Sequence, residues 1–472
     1  MEQRLTRKYG PVVAVCMVVG SMIGSGIFFR TEIILNNIGA NLPLGILAWA
    51  IGGIITLTFA YNFANLANRY ETSGGFVDYT EALIGEKASY YVGWFVATIY
   101  FPFSAAILAW VAARFTVELF GWHTGENAVS QFISGQTISI AAFYMIVLYV
   151  INMISPKIGG KIQVSTTVIK VIPLILMGTI GVIVGISNGT TAENMASAFQ
   201  GTAAGNPFFG ALVSTAFAFA GWETLTSLNS EVKNSKKVLP LAMIGGILIV
   251  VTLYILYFIG IFSAGNIAAW QATGGNALTF GAFENIFGSV GTSILISFIV
   301  VSCLGTTNAF MMISGKAFYS LAIRGQGPRP EMFGEVDRHT NMPLHGSNLA
   351  LIFMGAWLVL WFGGQAGVGW FVMPWTLMIV PVTVNMVLIP IFIAIMIKCT
   401  DMHWFNRFVA PFLGLSGSVF MIVATFIDRG QAGQTSVIFW YLAFVGVILL
   451  IGAYFASANK SKAQISAKAV KN

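Results

Sequence analysis

The sequence predicts an all-α integral membrane protein with about twelve transmembrane helices, and three observations support this fold class. First, 57% of the 472 residues are hydrophobic and only 9% are charged, whereas a soluble globular domain carries about 25% charged residues. Second, the apolar residues fall into runs of about 18 or more, which are long enough to cross a bilayer as helices. Third, the basic residues are concentrated in alternate loops.

The lengths of the apolar runs define the individual spans and the domain organisation. The predicted spans are approximately 11–38, 42–68, 88–120, 131–152, 160–186, 206–229, 238–264, 290–320, 346–363, 369–397, 405–427 and 435–457. We expect a single membrane domain over 1–472, with an N-terminus at 1–10, a membrane core at 11–457 and a tail at 458–472. The tail is small and polar and carries four lysines, so we expect it to be disordered and close to an anionic leaflet.

The distribution of positive charge predicts the orientation. If the N-terminus lies in the cytosol, Arg30, Arg114 and Arg429 fall on the outer side and Lys170 falls within the membrane. The other Lys and Arg residues lie at or near the inner face, which is the positive-inside pattern. We therefore expect a multi-pass protein of the cell membrane with both termini in the cytosol. The basic N-terminus precedes no small-residue cleavage site, so we interpret residues 11–38 as a span and not as a signal peptide.

The first span contains three glycines close together: Gly20, Gly24 and Gly26. Each glycine costs a helix about 1 kcal/mol relative to alanine. One interpretation is an interrupted helix, in which the N–H groups of Ser25, Gly26 and Ile27 begin a second half-helix and face a cavity. The positive end of that half-helix suits a carboxylate. The other interpretation is a GxxxG-type packing face formed by Gly20 and Gly24.

The sixth span contains the segment 217–223, in which small residues, aromatic rings and a carboxylate share one apolar run. An irregular backbone here would point the carbonyl groups of Phe217 and Ala220 inward, where they suit an ammonium group. Spans one and six each begin a group of five spans. Interrupted helices at corresponding positions of two halves indicate a transporter site near the bilayer midplane.

Two charged residues lie deep within predicted spans. Lys170 lies roughly 15 Å from the inner end of span five at about 1.5 Å per residue, and Glu223 lies in span six. Because a charge within a bilayer is costly, each is a functional hypothesis. Lys170 either ties spans one, five and eight together as a fixed cation or carries a coupling proton. Glu223 faces a cationic substrate group, carries a proton or pairs with a nearby donor.

Several other classes of function lack support in the sequence. The cysteines have no metal-ligand spacing, and no HExxH, Gly-x-Ser-x-Gly or P-loop motif is present. We therefore expect no metal site, no cofactor and no enzymatic activity. The basic residues form no single patch, which argues against a nucleic-acid partner, and the spans lack the continuous polar lining of a channel. No cysteine lies in an outer loop, so we expect no disulfide-linked subunit.

Several segments of the sequence resemble motifs of a known family. They are Gly20–Phe28, Ser73–Gly75, Lys157–Ile172 with Lys170, Phe217–Trp222, the loop residues Glu231, Asn234, Lys237 and Pro240, and Ser302–Gly305 with Asn308. In this combination the chain resembles the amino acid–polyamine–organocation superfamily, and within it the L-type amino-acid transporters and the bacterial serine/threonine exchangers. The resemblance covers nearly the whole chain and is most specific in spans one to six.

The resemblance implies a five-plus-five inverted repeat of the LeuT type, with broken helices one and six and two extra helices. It also implies alternating access, with sodium-independent exchange of neutral L-amino acids rather than ion-driven uptake. Lys170 would stand where sodium-coupled relatives hold a sodium ion, and the ring of Phe217 would form an outer gate. The candidate substrate-binding residues are Ser21, Met22, Ile23, Gly24, Ser25, Gly26, Phe217, Ala220, Gly221 and Glu223.

Two residues depart from the family pattern. Asn65 stands where the family usually has glutamate at the inner end of span two, which removes the acid of any gating ion pair there. Glu223 stands where the close relatives usually have an uncharged residue. The alternative function is therefore a proton-coupled or cationic amino acid/amine antiporter that uses Glu223. Further candidates, for a side-chain pocket between spans three, six, eight and ten, are Tyr100, Asn308 and Trp375.

Overall fold

The computed structural model describes residues 7–70, 74–122, 134–198, 207–273, 277–337, 339–365 and 379–469. These residues include eleven helices that are long and apolar enough to cross a bilayer, and a bent pair of helices that forms a twelfth span. Apart from one isolated bridge between Tyr9 and Val232, no β-structure occurs in these ranges. The predicted all-α class with about twelve spans is confirmed.

We number the spans 1 to 12 in chain order and name the halves of the two broken spans a and b. They are 1a Pro11–Met22, 1b Gly26–Asn37, 2 Leu42–Arg69, 3 Glu86–Leu119, 4 Gly135–Ile154, 5 Pro156–Ser187, 6a Pro207–Ala218, 6b Trp222–Glu231, 7 Ser235–Ala264, 8 Gly291–Ala322, 9 Leu344–Gln365, 10 Val380–Lys398, 11 Phe405–Gln431 and 12 Thr435–Ala469. Shorter helices are Phe76–Leu83, Thr190–Ala198, Ile267–Thr273, Ala277–Phe287 and Pro330–Phe333.

The basic face is the side of the molecule at which span 1 begins and at which most Lys and Arg residues lie, and the other side is the opposite face. The 7–8 connection is the pair of helices Ile267–Thr273 and Ala277–Phe287, which lies at the opposite face because span 7 ends there.

Capping side chains account for several helix ends. Asn41 accepts the N–H of Leu44 at 3.1 Å at the start of span 2, and Ser155 accepts the N–H of Ile158 at 3.4 Å at the start of span 5. Such caps satisfy N–H groups that the first turn of a helix leaves unpaired. Span 5 therefore begins at Pro156, earlier than the predicted residue 160.

The C-terminal segment differs from the sequence-based expectation. Span 12 continues as a helix to Ala469, so the prediction of a disordered tail from residue 458 is wrong over most of its length. Residues 458–469 are mostly alanine, lysine and other good helix formers. An existing helix extends through such residues at little cost, because its nucleus is already formed.

Both predicted helix breaks are present, and glycine is required at each. Halves 1a and 1b meet at a 41° bend. A Cβ atom on Gly26 would lie 2.8 Å from the Cα atom of Ala218 in half 6a, and Gly221 has a φ of 100°. The two breaks therefore approach each other at backbone distance, and Gly221 adopts a conformation that glycine tolerates best. Gly20 packs tightly against span 5, so the packing interpretation also holds for that glycine.

The broken spans lie near the centre of the bundle, next to span 3. Of the most apolar stretch of span 3, 89% is buried, compared with 22% for span 12. Spans 1, 3, 6, 8 and 10 meet around the two breaks, and their contact creates the cavity described next.

Candidate functional site

A cavity lies where the breaks of spans 1 and 6 meet. Its walls come from spans 3, 6, 8 and 10, the four spans predicted for the side-chain pocket, together with span 1. The candidate residues that line it are Ser21, Met22, Gly24, Ser25, Gly26, Phe217 and Ala220. The candidates Ile23, Gly221 and Glu223 do not line it. The remaining lining side chains among the described residues are apolar or carry a hydroxyl group, and none of these is charged.

The N-terminus of half-helix 1b faces this cavity. Ser25 and Gly26 line it, and the N–H groups of Ser25, Gly26 and Ile27 have no acceptor among the described residues. The first N–H groups of a helix have no partner within the helix and carry partial positive charge. The break therefore presents an anion-binding edge that contains no charged side chain, as the interrupted-helix interpretation requires.

The carbonyl groups released at the same break are bonded from spans 5 and 8. Lys170 Nζ donates to the carbonyl of Gly20 at 2.6 Å and to Thr306 Oγ1 at 3.0 Å. The Thr306 hydroxyl lies 3.0 Å from the carbonyl oxygen of Ile23, and Ser302 Oγ lies 3.1 Å from that oxygen. These contacts satisfy backbone groups for which the bilayer core supplies no water.

Lys170 is fully buried and touches spans 1 and 8 from span 5. The ion pairs within the described ranges give it no carboxylate partner. Its contacts are neutral oxygen atoms, which compensate part of the cost of burying the ammonium group. The geometry links the same three spans that the fixed-cation hypothesis names.

The break in span 6 is held by hydroxyl groups from spans 1 and 7. Ser21 Oγ lies 2.8 Å from the carbonyl oxygen of Gly221. The hydroxyl group of Tyr254, in span 7, lies 2.9 Å from the carbonyl oxygen of Met22 and 3.0 Å from that of Ala218. One tyrosine thus contacts the free backbone of both breaks.

The predicted acceptors for an ammonium group are the carbonyl groups of Phe217 and Ala220. The Phe217 carbonyl accepts the N–H of Ala220 at 3.3 Å, which is a long bond, whereas the Ala220 carbonyl has no donor within the described residues. Both residues line the cavity. The cavity therefore holds an acceptor edge at Ala220 as well as the N–H groups of half-helix 1b.

Glu223 lies behind the cavity wall. The residue is 1% exposed, and its Oε1 atom accepts the hydroxyl group of Tyr100 at 2.6 Å. Its Oε2 atom has no partner in the part of the chain that the structure describes. Tyr100 lines a second cavity, which shares Ala220 and Val380 with the first. Of the three roles expected for Glu223, pairing with a donor is the one that these contacts show.

Asn308 lies outside the cavity wall. Asn308 accepts the amide N–H of Asn152 at 2.8 Å and donates to the carbonyl of Gly159 at 3.2 Å, so it joins spans 4, 5 and 8. Successive side chains of a helix point in different directions, and Thr306 occupies the cavity side of span 8. Trp375 lies outside the described residues.

Two residues that contact the break in span 1 were not among the candidate site residues. Ser302 and Thr306 are four residues apart in an apolar helix, and this spacing places both hydroxyl groups on one face. That signal was available in the sequence. The structure also buries more charges than the two expected, among them Glu32 in half-helix 1b and Lys316 in span 8.

Toward the basic face, ion pairs close the bundle. Glu231, at the end of half-helix 6b, is fully buried between Lys8, at 2.8 Å, and Lys316. The backbone N–H of Lys8 also donates to the carbonyl of Glu231 at 2.8 Å. Arg324 pairs with Asp78 of helix Phe76–Leu83. These pairs join the N-terminal segment, half-helix 6b, span 8 and the connection between spans 2 and 3.

Toward the opposite face, the contacts are mainly aromatic. Arg30, one turn beyond Gly26, lies over the ring of Phe217 with its Cζ atom 4.7 Å from the ring centroid. Phe29 stacks on Phe115 of span 3 at 5.3 Å. Arg30, Phe29 and Phe217 are half-buried, whereas Glu231 and Lys316 are fully buried. The cavity is therefore less enclosed toward the opposite face.

The end of span 2 at the basic face carries an ion pair despite the asparagine there. The Nδ2 atom of Asn65 is buried and has no partner among the described residues. One turn later, Arg69 pairs with the exposed Asp401 at 2.6 Å. The hydrogen bond from Arg69 holds the pKa of Asp401 below its usual range. This pair joins span 2 to the connection between spans 10 and 11.

Comparison with protein families and characterised proteins gives consistent results. The amino acid permease family matches residues 9–451. The serine/threonine exchanger SteT of Bacillus subtilis is 31% identical over 338 residues, which cover 71% of this chain and 72% of that protein. The human cystine/glutamate transporter is 26% identical over 363 residues, which cover 75% of this chain and 69% of that protein.

A solved structure shares the fold. The crystal structure of MhsT in complex with L-phenylalanine aligns with a TM-score of 0.59 at 16% sequence identity. The alignment covers 90% of this chain and 100% of that one. The LeuT-type architecture predicted from the sequence is confirmed. At this identity the likeness concerns the fold alone.

Proposed function

The chain belongs to the amino acid permease family, and on that premise we propose that it exchanges neutral L-amino acids across the cell membrane by alternating access, without sodium. The names of the two relatives, a serine/threonine exchanger and a cystine/glutamate transporter, support amino acids as the substrate class. We further propose that residues 1–472 form one transport domain with cytosolic termini, so that the basic face is the inner face.

The observation that carries the proposal is the pairing of free N–H groups and a free carbonyl in one cavity. The substrate carboxylate binds the N–H groups of Ser25, Gly26 and Ile27, which have no acceptor among the described residues. The substrate ammonium group binds the carbonyl of Ala220 on the facing break. Both charged ends of an α-amino acid are then matched by backbone groups, as in helix-terminus ion sites of transporters.

The side chain of the substrate occupies the remaining space between spans 3, 8 and 10. The residues there include Phe103, Ile107 and Phe310, with hydroxyl groups at Ser104 and Thr306. A buried charge is costly unless it is paired, and no charged side chain from the described part of the chain lines this cavity. The lining therefore favours neutral substrates, apolar or hydroxylated, over cationic or anionic ones.

Lys170 acts in this proposal as a fixed cation. Its ammonium group holds the carbonyl of Gly20 and the hydroxyl group of Thr306, and so sets the position of the break in span 1. A permanently occupied positive site at this position makes a sodium ion there unfavourable by charge repulsion. Exchange then needs no coupling ion, because the outward and return steps both carry substrate.

Reconstitution in liposomes tests the function directly. Labelled serine, leucine and arginine are offered to proteoliposomes with and without unlabelled amino acid inside, at two pH values and with or without sodium. We expect uptake of serine and leucine when an amino acid is present inside, at both pH values and without sodium. Uptake into empty liposomes driven by a pH gradient would overturn the exchange mechanism.

A pair of glycine variants tests the site. Gly26→Ala places a methyl group 2.8 Å from the backbone of Ala218, whereas Gly245→Ala, in span 7, meets nothing within 4 Å. We expect Gly26→Ala to lose exchange and Gly245→Ala to retain it, at equal yield of folded protein. Retention of normal affinity by Gly26→Ala would contradict the placement of the carboxylate at this break.

The second candidate function is antiport of a cationic amino acid or its amine, or proton coupling, through Glu223. The observation in its favour is the unpartnered buried Oε2 atom of Glu223 beside the second cavity. Glu223→Gln separates the two functions, with the exposed Glu331→Gln as control. Neutral exchange that persists in Glu223→Gln with an unchanged pH profile supports the first proposal. Loss of arginine transport alone, or of the pH dependence, supports the second.

A further inference from the structure

Glu32 is a buried carboxylate that the proposed mechanism leaves unused. It lies in half-helix 1b and is 3% exposed. Phe28 lies one turn earlier on the same face of this half-helix and packs edge-on against Tyr257 of span 7, with ring centroids 5.7 Å apart. Glu32 therefore points away from the cavity, toward span 7 and the 7–8 connection. A carboxylate buried among membrane helices requires a specific partner.

The partner is the N-terminus of a helix in the 7–8 connection. Glu32 Oε1 accepts the backbone N–H of Thr279 at 2.5 Å. Thr279 is the third residue of helix Ala277–Phe287, so its N–H group is one of those that the helix cannot satisfy internally. An oxygen acceptor at this position satisfies an N–H group that would otherwise be buried without a partner.

Two asparagines of this region bond to the end of span 7 and its following residue. Asn285 donates to the carbonyl of Ala264 at 2.8 Å, at the end of span 7. Asn194 donates to the carbonyl groups of Phe262 and Gly265 at 2.7 and 2.8 Å. The bond between Glu32 and Thr279 joins the 7–8 connection to half-helix 1b.

We propose that Glu32 is a positioning residue for transport that fastens the 7–8 connection to half-helix 1b. Half-helix 1b begins with the N–H groups that hold the substrate carboxylate, so this inference rests on the proposed function. The bond makes the connection and the half-helix move as one unit when the cavity opens to the opposite face. It thereby sets the orientation in which Ser25, Gly26 and Ile27 meet substrate arriving from that face.

Two pairs of variants test the bond from both of its ends. Glu32→Leu removes the acceptor, whereas Glu32→Gln keeps an oxygen that can accept the same N–H. Thr279→Pro removes the N–H donor at a first-turn position where proline is tolerated, whereas Thr279→Ala keeps the N–H and removes the hydroxyl group. The control is Glu284→Leu, an exposed carboxylate of the same helix that accepts from Thr292 at 2.7 Å.

The measurement is exchange in vesicles of one orientation, with KM determined separately for substrate added at each face. We expect Glu32→Leu and Thr279→Pro to raise KM at the opposite face by about five- to tenfold, the size of a typical coupling between linked sites. In the same two variants we expect KM at the basic face and the rate at saturating substrate to change by less than about twofold, which is below a typical coupling. Glu32→Gln, Thr279→Ala and Glu284→Leu behave as the wild type.

Three results would overturn the inference. If Glu32→Gln is as impaired as Glu32→Leu, the charge acts and not the hydrogen bond. If KM rises equally at both faces, Glu32 serves general integrity. If Thr279→Pro is unaffected, the N–H of Thr279 is not the partner. Hydrogen exchange of the Thr279 amide, which we expect to lose protection in Glu32→Leu, needs no transport activity. A failure of the proposed function would therefore leave this readout intact.

Discussion

Toward the basic face, charged side chains from four parts of the chain close the cavity. Toward the opposite face, aromatic rings and the guanidinium group of Arg30 cover it. At the basic end, the carboxylate of Glu231 is fully buried between two lysines. At the opposite end, Arg30 and Phe217 remain half-buried. Both ends belong to the same broken helices, yet different interactions hold them.

The difference indicates which movements are costly. Aromatic surfaces can slide past one another while they remain in contact, and a cation–π contact contributes about 0.5–1 kcal/mol at an exposed site. Separating a buried carboxylate from its partners leaves charges without compensation. In this structure the cavity is therefore closed by contacts that are costly to break at the basic face and by weaker contacts at the opposite face. Opening toward the basic face must rearrange the ion pairs as a group.

The largest expected effect comes from removing the shared carboxylate of the basic end. Glu231→Gln keeps the size of the side chain but leaves Lys8 and Lys316 buried without a countercharge, at a cost of about 3–5 kcal/mol. We expect a lower Tm in detergent and faster maleimide labelling of Cys16, in half-helix 1a, in a variant that lacks the other two cysteines. Glu331→Gln, at an exposed position, is the matched control. Unchanged Tm and labelling would show that the triad does not close this face.

A smaller effect is expected between the two ends, at Lys170. Lys170→Met leaves the carbonyl of Gly20 without its charged donor, and hydrogen bonds to charged groups contribute about 1.5–3 kcal/mol. If this stabilisation is lost from the substrate-bound state, the exchange rate falls by roughly 10- to 100-fold. Lys161→Met, an exposed lysine of the same helix, should leave the rate unchanged. A change in the shape of the pH–rate profile, and not only in its height, would indicate that Lys170 carries a proton.

A still smaller effect is expected at the opposite end. Arg30→Gln removes the guanidinium group from the ring of Phe217, which should change KM for substrate at that face by about two- to fivefold, the equivalent of a surface cation–π contact. A double-mutant cycle with Phe217→Leu isolates the interaction between the two side chains. An additive double mutant would mean that Arg30 acts on the opposite face without Phe217.

The smallest effect is expected at the exposed pair of Arg69 and Asp401. The pKa of Asp401 is lowered in the folded protein. The pair therefore stabilises the folded state at pH values above the pKa of an unfolded aspartate, about 3.9. This contribution is lost as the pH falls through the lower folded pKa. Exposed ion pairs contribute little, so Asp401→Asn should have the Tm of the wild type between about pH 5 and 8. A clear drop in Tm would place this pair in the closure of the basic face.

The sequence predicted the breaks better than it predicted their surroundings. Gly26 and Gly221 marked the two breaks in the sequence. Spans 1 and 6 approach each other so closely there that their backbones leave no room for a side chain. The position of Asn308 was not predictable in the same way. A polar residue in an apolar span must face protein, but this condition does not distinguish the cavity from the contact with Asn152 that the structure shows.

The charged residues show the same limit. The deep position of Glu223 was evident from the apolar run around it, but its contact with Tyr100, 123 residues away in the chain, was not. Glu231 was noted as a loop residue of the family pattern, and its two lysine partners lie in the N-terminal segment and in span 8. No local spacing relates these three positions.

The sequence by itself determined the number of spans, the two breaks and the asymmetry of charge between the faces. These follow from the bilayer, which requires long apolar helices and penalises unsatisfied backbone groups and unpaired charges. The tertiary structure alone decided which side chains meet at the breaks, which carboxylate lies behind the cavity and which ion pairs close the basic face. The physical reason is that lipid and protein interior are both apolar, so a membrane helix carries little periodic signal to show which of its sides faces its neighbours.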